Sequence, residues 1–285
     1  MAGEVWGGVT LLRYPKDFHR RFETCIFCGA AADSKEHILP KWIHQRLRPI
    51  ENAKAPYIFE HPDGTEELVV PVASSPITTF TSSSVCKSCN NKWMGTIVNH
   101  AKPLTERLMD DGFKGTLSAE ERAALIKQFS VIAAVADVEN TSVGAALVQT
   151  ERTSLMKGMT LSNFALWLGR YFEFCRNPEM TFAFMRAREV TFGGERELIL
   201  FKRQSIVLGR LVVVTEIGNP NVISFQARPQ GLRRVQLEAT LNWPPGRLIT
   251  AQDFMGLSLK DPVTGYYPIG YPYGKLNDMK GGGPR

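Results

Sequence analysis

Four of the chain's five cysteines fall into two CxxC pairs, Cys25/Cys28 and Cys86/Cys89, and this spacing constrains the fold more than any other feature. Disulfides are rare in a reducing cytosol, so two CxxC turns in one cytosolic chain point to a metal. Each turn lets two sulfurs approach one ion. Four thiolates then close a tetrahedral zinc shell with Zn–S bonds of about 2.3 Å. The 57 residues between Cys28 and Cys86 must fold back on themselves to allow this, and the metal's binding energy becomes folding energy. A zinc held by four thiolates keeps no open position, so any chemistry must come from elsewhere. The fifth cysteine, Cys175, follows the apolar run 166–174 and is expected to be a buried, inert thiol.

The 285 residues are 44% hydrophobic and 22% charged, the balance of a globular chain long enough for a substantial core. No apolar stretch reaches the length of a membrane span. Residues 1–14 lack a cationic region followed by an apolar core, so no secretory signal and no membrane partner are expected, and the expected location is cytoplasmic. Lys and Arg total 34 against 28 Asp and Glu, a net charge of +6, which permits a polyanionic partner without requiring one. Residues 180–247 carry ten basic and five acidic residues, whereas 101–174 carry eight and nine. Positive charge is thus concentrated in the C-terminal half and near the cysteines. The sequence leaves the oligomeric state open.

Hydrophobic periodicity divides the chain into three parts. Lys41 to Arg48 reads as a short helix with Trp42, Ile43 and Leu47 on one side. Tyr57–Phe59 and Leu68–Val70 flank a His61-Pro-Asp-Gly64 turn and predict a hairpin. Ile77–Val85 reads as a strand running into Cys86. A helix is expected from about Cys89, with Trp93, Ile97, Ala101, Leu104 and Leu108 in register and a kink or break at Lys102 before Pro103. Ser118-Ala-Glu-Glu121 is a capping box that opens a helix to about Val138, burying Leu125, Phe129, Ile132 and Ala136. A further helix is expected over Leu161–Phe174. Strands are expected at Thr181–Arg186, Glu197–Phe201, Ser205–Glu216, Val222–Ala227 and Val235–Leu241.

Between the CxxC pairs lies Glu36-His37-Ile-Leu-Pro40, and Asn90-Asn91 follow Cys89 directly. Adjacent residues on a strand face opposite sides, so Glu36 and His37 can act on different sides of one substrate. A neutral imidazole, with an ordinary pKa of about 6.5, suits activation of water at neutral pH. A carboxylate and an amide carbonyl suit a hard cation such as Mg2+ or Mn2+.

The order Cys25-Ile-Phe-Cys28-Gly29, Glu36-His37-x-x-Pro40, Cys86-Lys-Ser-Cys89-Asn90-Asn91 resembles the HNH, or His-Me finger, endonucleases. Cys89-Asn-Asn-Lys-Trp-Met94, followed by Ala101-Lys-Pro103, is similar to a subgroup of them, and the resemblance covers residues 24–110. It implies an α+β protein in which a zinc-braced ββα-metal module grips one divalent ion, Mg2+ or Mn2+. It implies Glu36 and Asn90 as ligands of that ion, His37 as general base, and Cys25, Cys28, Cys86 and Cys89 as ligands of a structural Zn2+. The activity implied is phosphodiester hydrolysis in nucleic acid, double-stranded DNA being the expected partner, with 5′-phosphate and 3′-hydroxyl products.

Two positions depart from the family pattern. Asn90 replaces the final His, and the strand before the second CxxC, Thr78-Thr-Phe-Thr-Ser-Ser-Ser-Val85, lacks the middle Asn that orients the base. A hydroxyl of that stretch, or Asn91, is left for the task. Asn90 could alternatively serve as a helix cap, and Asn91 is expected to be a structural cap. Candidate phosphate contacts are Lys35, Lys41, Arg46, Arg48, Lys87 and Lys92, with Arg20 and Arg21 as an arm. His19, His44, His61 and His100 are expected to face solvent. The expected organisation is a nuclease module at 1–110, a helical scaffold at 111–178 and a β-rich basic part at 179–285, which could recognise nucleic acid or a ligand. The alternative function is a zinc-braced nucleic-acid-binding protein with weak or no catalysis. A third reading is a zinc-stapled interaction protein in which Glu36 and His37 are incidental.

Overall fold

The computed structural model describes residues 4–6, 9–11, 22–47, 57–60, 66–69, 81–139, 145–186, 190–192, 195–197, 200–218, 232–236, 240–245 and 247–250. The expected strand at Val222–Ala227, together with Arg20, Arg21, Arg48, His19 and His61, lies outside them. The described protein is mixed helix and sheet. Two short antiparallel pairs open it and its middle: β1 (Glu4–Trp6) with β2 (Val9–Leu11), and β4 (Tyr57–Glu60) with β5 (Glu66–Val69). The second pair has the antiparallel pairing expected of the hairpin, with Tyr57 opposite Val69, while its turn at 61–64 lies outside the described residues. Between them come β3 (Glu36–His37) and α1 (Lys41–Leu47), which buries Ile43 and Leu47. Of the strand expected over 77–85, the described part is β6 (Thr81–Ser82).

Helical structure starts at α2 (Lys87–Cys89), slightly before the expected position. It passes through a π turn at Asn90–Met94 and continues as α3 (Gly95–Met109). The expected break at Lys102 does not occur, because Pro103 lies inside α3 and the helix runs on. Ala101, Leu104, Thr105, Leu108 and Met109 are buried on either side of the proline. Burying that face outweighs the one hydrogen bond that proline cannot donate.

After β7 (Gly115–Leu117), the capping box forms as read. Ser118 N–H donates to Glu121 Oε2 (2.8 Å), and Glu121 N–H donates to Ser118 Oγ (3.1 Å). The helix it opens, α4 (Ala119–Glu139), buries Leu125, Phe129, Ile132 and Ala136. From Gln128 to Val138 every α4 side chain is buried, so this helix is enclosed by the rest of the molecule. Thr105 Oγ1 donates to Gln128 Oε1 (2.8 Å), tying α3 to α4. A short α5 (Gln149–Met156), with no counterpart in the sequence reading, is docked by the buried Asp137 carboxylate. That carboxylate accepts from the N–H groups of Ala146 (2.8 Å) and Leu147 (3.0 Å) and pairs with Arg152 (3.4 Å).

The expected helix over Leu161–Phe174 is corrected: that stretch belongs to a long strand, β8 (Phe164–Arg186). Beyond it, β9 (Val190–Phe192) pairs with β10 (Glu195–Glu197). The strand β11 (Leu200–Ile217) returns antiparallel to β8, from Leu200 opposite Arg186 to Ile217 opposite Phe164. On the other edge of β8 lies β12 (Arg233–Arg234). Both faces are buried along residues 164–169 of β8 and 211–217 of β11. Phe164, Leu166, Leu168, Ile206, Leu208, Leu211 and Val213 enter the main core, while Ala165, Trp167, Tyr171, Val207, Val212 and Val214 pack with Leu232 and Ile249. A strand buried on both faces shows no polar alternation, so its apolar run looks like a buried helix.

The strand expected at Val235–Leu241 is likewise corrected. Val235–Gln236 form a turn, and β13 (Leu241–Trp243) pairs with β7. The boundary expected at 178/179 falls within β8. Among the described residues, no helix is long and apolar enough to cross a membrane.

Candidate metal centre

The first CxxC is held in a tight turn. Thr24 and Ala31 form an antiparallel bridge, Cys25 N–H donates to the Ala30 carbonyl (2.6 Å), and Gly29 N–H donates to the Cys25 carbonyl (2.9 Å). Gly29 closes the turn at φ +76°, where a side chain is disfavoured. The second CxxC sits where α2 begins. Cys86 is its N-cap, with Sγ accepting from Cys89 N–H (3.4 Å). The residues just before it bind the first turn: Ile26 N–H donates to the Ser84 carbonyl (2.9 Å), and Ser34 N–H to the Val85 carbonyl (3.1 Å). Asp33 Oδ1 accepts from Lys87 N–H (2.8 Å) at the start of α2. From behind, Gln149 Nε2 of α5 donates to the Ile26 carbonyl (2.9 Å), and buried Phe27 meets Trp93 edge-on at 5.0 Å.

These contacts bring the Sγ atoms of Cys25, Cys28, Cys86 and Cys89 within 4.8 Å of one another. Cys28 and Cys86 sulfurs lie 3.6 Å apart, too far for a disulfide. The separation fits the edge of a tetrahedron whose metal–sulfur bonds are about 2.3 Å, an edge of about 3.8 Å. Cys25, Cys86 and Cys89 are buried and Cys28 is exposed. Burial raises the Cys25 thiol, but the backbone N–H groups of Cys28, Cys86 and Phe27 outweigh it and hold the thiol below its ordinary range. Burial drives the Cys89 thiol strongly upward. A buried thiol costly to ionise alone, beside one favoured as thiolate, is a donor set that a soft-accepting cation would complete. The four cysteines can hold a metal ion such as zinc.

Glu36 and His37 form β3, which pairs antiparallel with β6, Glu36 opposite Ser82 and His37 opposite Thr81. His37 is half-buried, with its Nδ1 atom inside the protein. Asn90 is one residue past Cys89. Its side chain does not cap the helix, since Cys86 fills that position; instead Asn90 Nδ2 donates to Ser34 Oγ (2.9 Å). This bond joins the segment entering β3 to the helical segment leaving the second CxxC. Ser82 and Ser84, in the place of the missing middle Asn, are fully buried and hydrogen-bond to each other through their hydroxyls. Asn91 is exposed on the π turn and is not the N-cap.

Among the candidate phosphate contacts, Lys35, Lys41 and Lys92 are exposed. Lys87 is exposed and 3.7 Å from Asp33. Arg46 reaches both carboxylate oxygens of Asp110, at 2.6 and 2.7 Å. Neighbouring Asp111 accepts from Arg210 and Arg170, which hold its carboxyl below the usual range, Arg210 contributing most. His100 is exposed, as expected.

Fold and site together define an α+β protein with a four-cysteine cluster suited to a metal ion. No protein-family model matches the chain, and neither a curated protein nor a solved structure matches it.

Ser34 was missed by sequence reasoning. A serine two residues before Glu36 carries no local signal, and its role depends on a partner 56 residues away.

Proposed function

We propose that the protein is an HNH-type endonuclease, hydrolysing phosphodiester bonds in nucleic acid, with DNA as the expected substrate. The observation that carries this reading is the convergence of three separate sequence motifs. The segment that leads into Glu36-His37 is tied to the second CxxC and to Asn90 through the Ser34 N–H bond to the Val85 carbonyl and the Asn90–Ser34 bond. In this reading the four cysteines hold zinc as a brace. Glu36 and Asn90 offer hard oxygen donors for Mg2+ or Mn2+. That cation, when bound, would offset charge on the scissile phosphate and on the leaving oxygen.

Adjacent residues of a strand point to opposite faces, so His37 can accept the proton of the attacking water while Glu36 serves the cation. Exposed Lys35, Lys41, Lys87 and Lys92 offer phosphate contacts around the module. Arg46 is already engaged by Asp110, so its contribution to substrate would compete with that pair.

The test is supercoiled plasmid incubated with the zinc-loaded protein and Mg2+ or Mn2+, against an EDTA control. Nicking that EDTA abolishes supports the reading. The two Ser hydroxyls bonded to each other on and after β6 favour a second reading, because neither side chain is an Asn able to orient His37. That reading is a zinc-braced protein that binds nucleic acid with weak or no cleavage. Plasmid retarded on a gel but left uncut would select it. Neither cleavage nor retardation would leave an interaction protein.

A further inference from the structure

We propose that Ser34 is the positioning residue that turns the Asn90 side-chain carbonyl toward the catalytic cation. This rests on the nuclease reading above.

An amide offers a cation one useful end. The carbonyl oxygen is a hard ligand, whereas the NH2 group is a donor that a cation repels. An Asn ligand therefore needs its nitrogen held elsewhere. Asn90 Nδ2 donates to Ser34 Oγ at 2.9 Å, which leaves Oδ1 at the other end of the amide. Ser34 is well placed for this work because its own position is fixed. It is 8% exposed, its N–H is bonded to the Val85 carbonyl (3.1 Å), and the preceding Asp33 is bonded to Lys87 N–H (2.8 Å). Both bonds tie it to residues flanking Cys86.

The backbone of Asn90 is fixed as well. Its N–H donates to the Cys86 carbonyl (3.0 Å), and its carbonyl accepts from Gly95 N–H across the π turn. A Cβ at Gly95 would come 3.3 Å from that carbonyl oxygen, so the glycine makes room for the turn. Single π turns inside α-helices often mark functional sites. With the backbone fixed, what remains is which way the amide faces, and the Ser34 bond to Nδ2 sets it.

The test reads Mn2+ affinity by electron paramagnetic resonance on the zinc-loaded full chain. Partners of a metal ligand typically contribute about 10–100-fold in affinity, and that loss is expected for Ser34→Ala. Ser34→Thr, which keeps the hydroxyl, should restore most of it. The same Ser34→Ala change is then made together with Asn90→Asp. A carboxylate presents an oxygen at either end, so the loss in that background should shrink to about threefold or less.

Equal losses in both backgrounds, unchanged affinity in Ser34→Ala, or loss of zinc from Ser34→Ala would each overturn the assignment. Unchanged affinity in Ser34→Ala together with a loss in Asn90→Ala would remove Ser34 and leave Asn90 as ligand. Failure of the wild type to bind Mn2+, or full binding by Asn90→Ala, would overturn the parent reading as well.

Discussion

Cys86 joins three roles at one position: it contributes a sulfur to the cluster, caps α2, and accepts Asn90 N–H at its carbonyl. Cys86→Ser keeps a capping hydroxyl but loses a soft ligand. Elemental analysis should find about one zinc per wild-type chain and less than half that in the variant, with a lowered Tm. Zinc retained at one per chain would mean that the cluster is not the site.

Asp111 supplies a second test at this scale. Its carboxyl is held low by Arg210 first and Arg170 next. A depressed carboxyl contributes stability that is present above its unfolded pKa of about 3.9 and is lost as pH falls through the lower folded value. Wild type should therefore exceed Asp111→Asn in Tm at pH 6, and the gap should narrow as pH falls below about 4. A gap independent of pH would contradict the ion-pair origin. The cysteine cluster was legible because CxxC spacing encodes its own turn geometry. The Asp111 pairs were not, because Arg170 and Arg210 lie on strands far along the chain.

Among the elements, the seat of α3 on β11 depends on Gly209. This residue has φ +60°, lies in the irregularity between Val207 and Leu211, and would place a Cβ 2.7 Å from the Met109 carbonyl oxygen. Gly209→Ala should destabilise the fold by about 2–4 kcal/mol, combining a left-handed backbone penalty with a clash against backbone. Urea unfolding measures it, and a loss under about 0.5 kcal/mol would show that α3 can shift freely.

The start of α4 offers a smaller effect. Ser118→Ala should cost about 1 kcal/mol, because Ser118 Oγ accepts Glu121 N–H. That cap was readable because it is a four-residue pattern. The start of β8 was misread because residues 164–169 are buried on both faces, so neither periodicity nor polarity separates them from a helix. The bulge at Gly209 left no local trace, since what it accommodates is a carbonyl 100 residues earlier. Pro103 misled in the opposite direction: its local penalty is real, and the packing of Leu104 and Leu108 overrides it.

For the whole molecule, the cluster is part of the main core. Cys25, Phe27, Cys86 and Cys89 share one buried apolar cluster with Leu108 of α3, Phe129 of α4, Leu166 of β8 and Val213 of β11. The cysteine cluster and the sheet therefore share one packed core, and Ile38 and Leu39, directly after the strand carrying His37, belong to it. This is why a two-residue strand can keep a fixed place.

The most direct test of the nuclease reading is the single-turnover cleavage rate of plasmid DNA by wild type and His37→Ala, both with one zinc per chain and saturating Mn2+. Removal of a general base typically costs about 10²–10⁴-fold, and a loss in that range is predicted with zinc content and Tm unchanged. Cleavage by His37→Ala at the wild-type rate, or no cleavage by the zinc-loaded wild type, would contradict it.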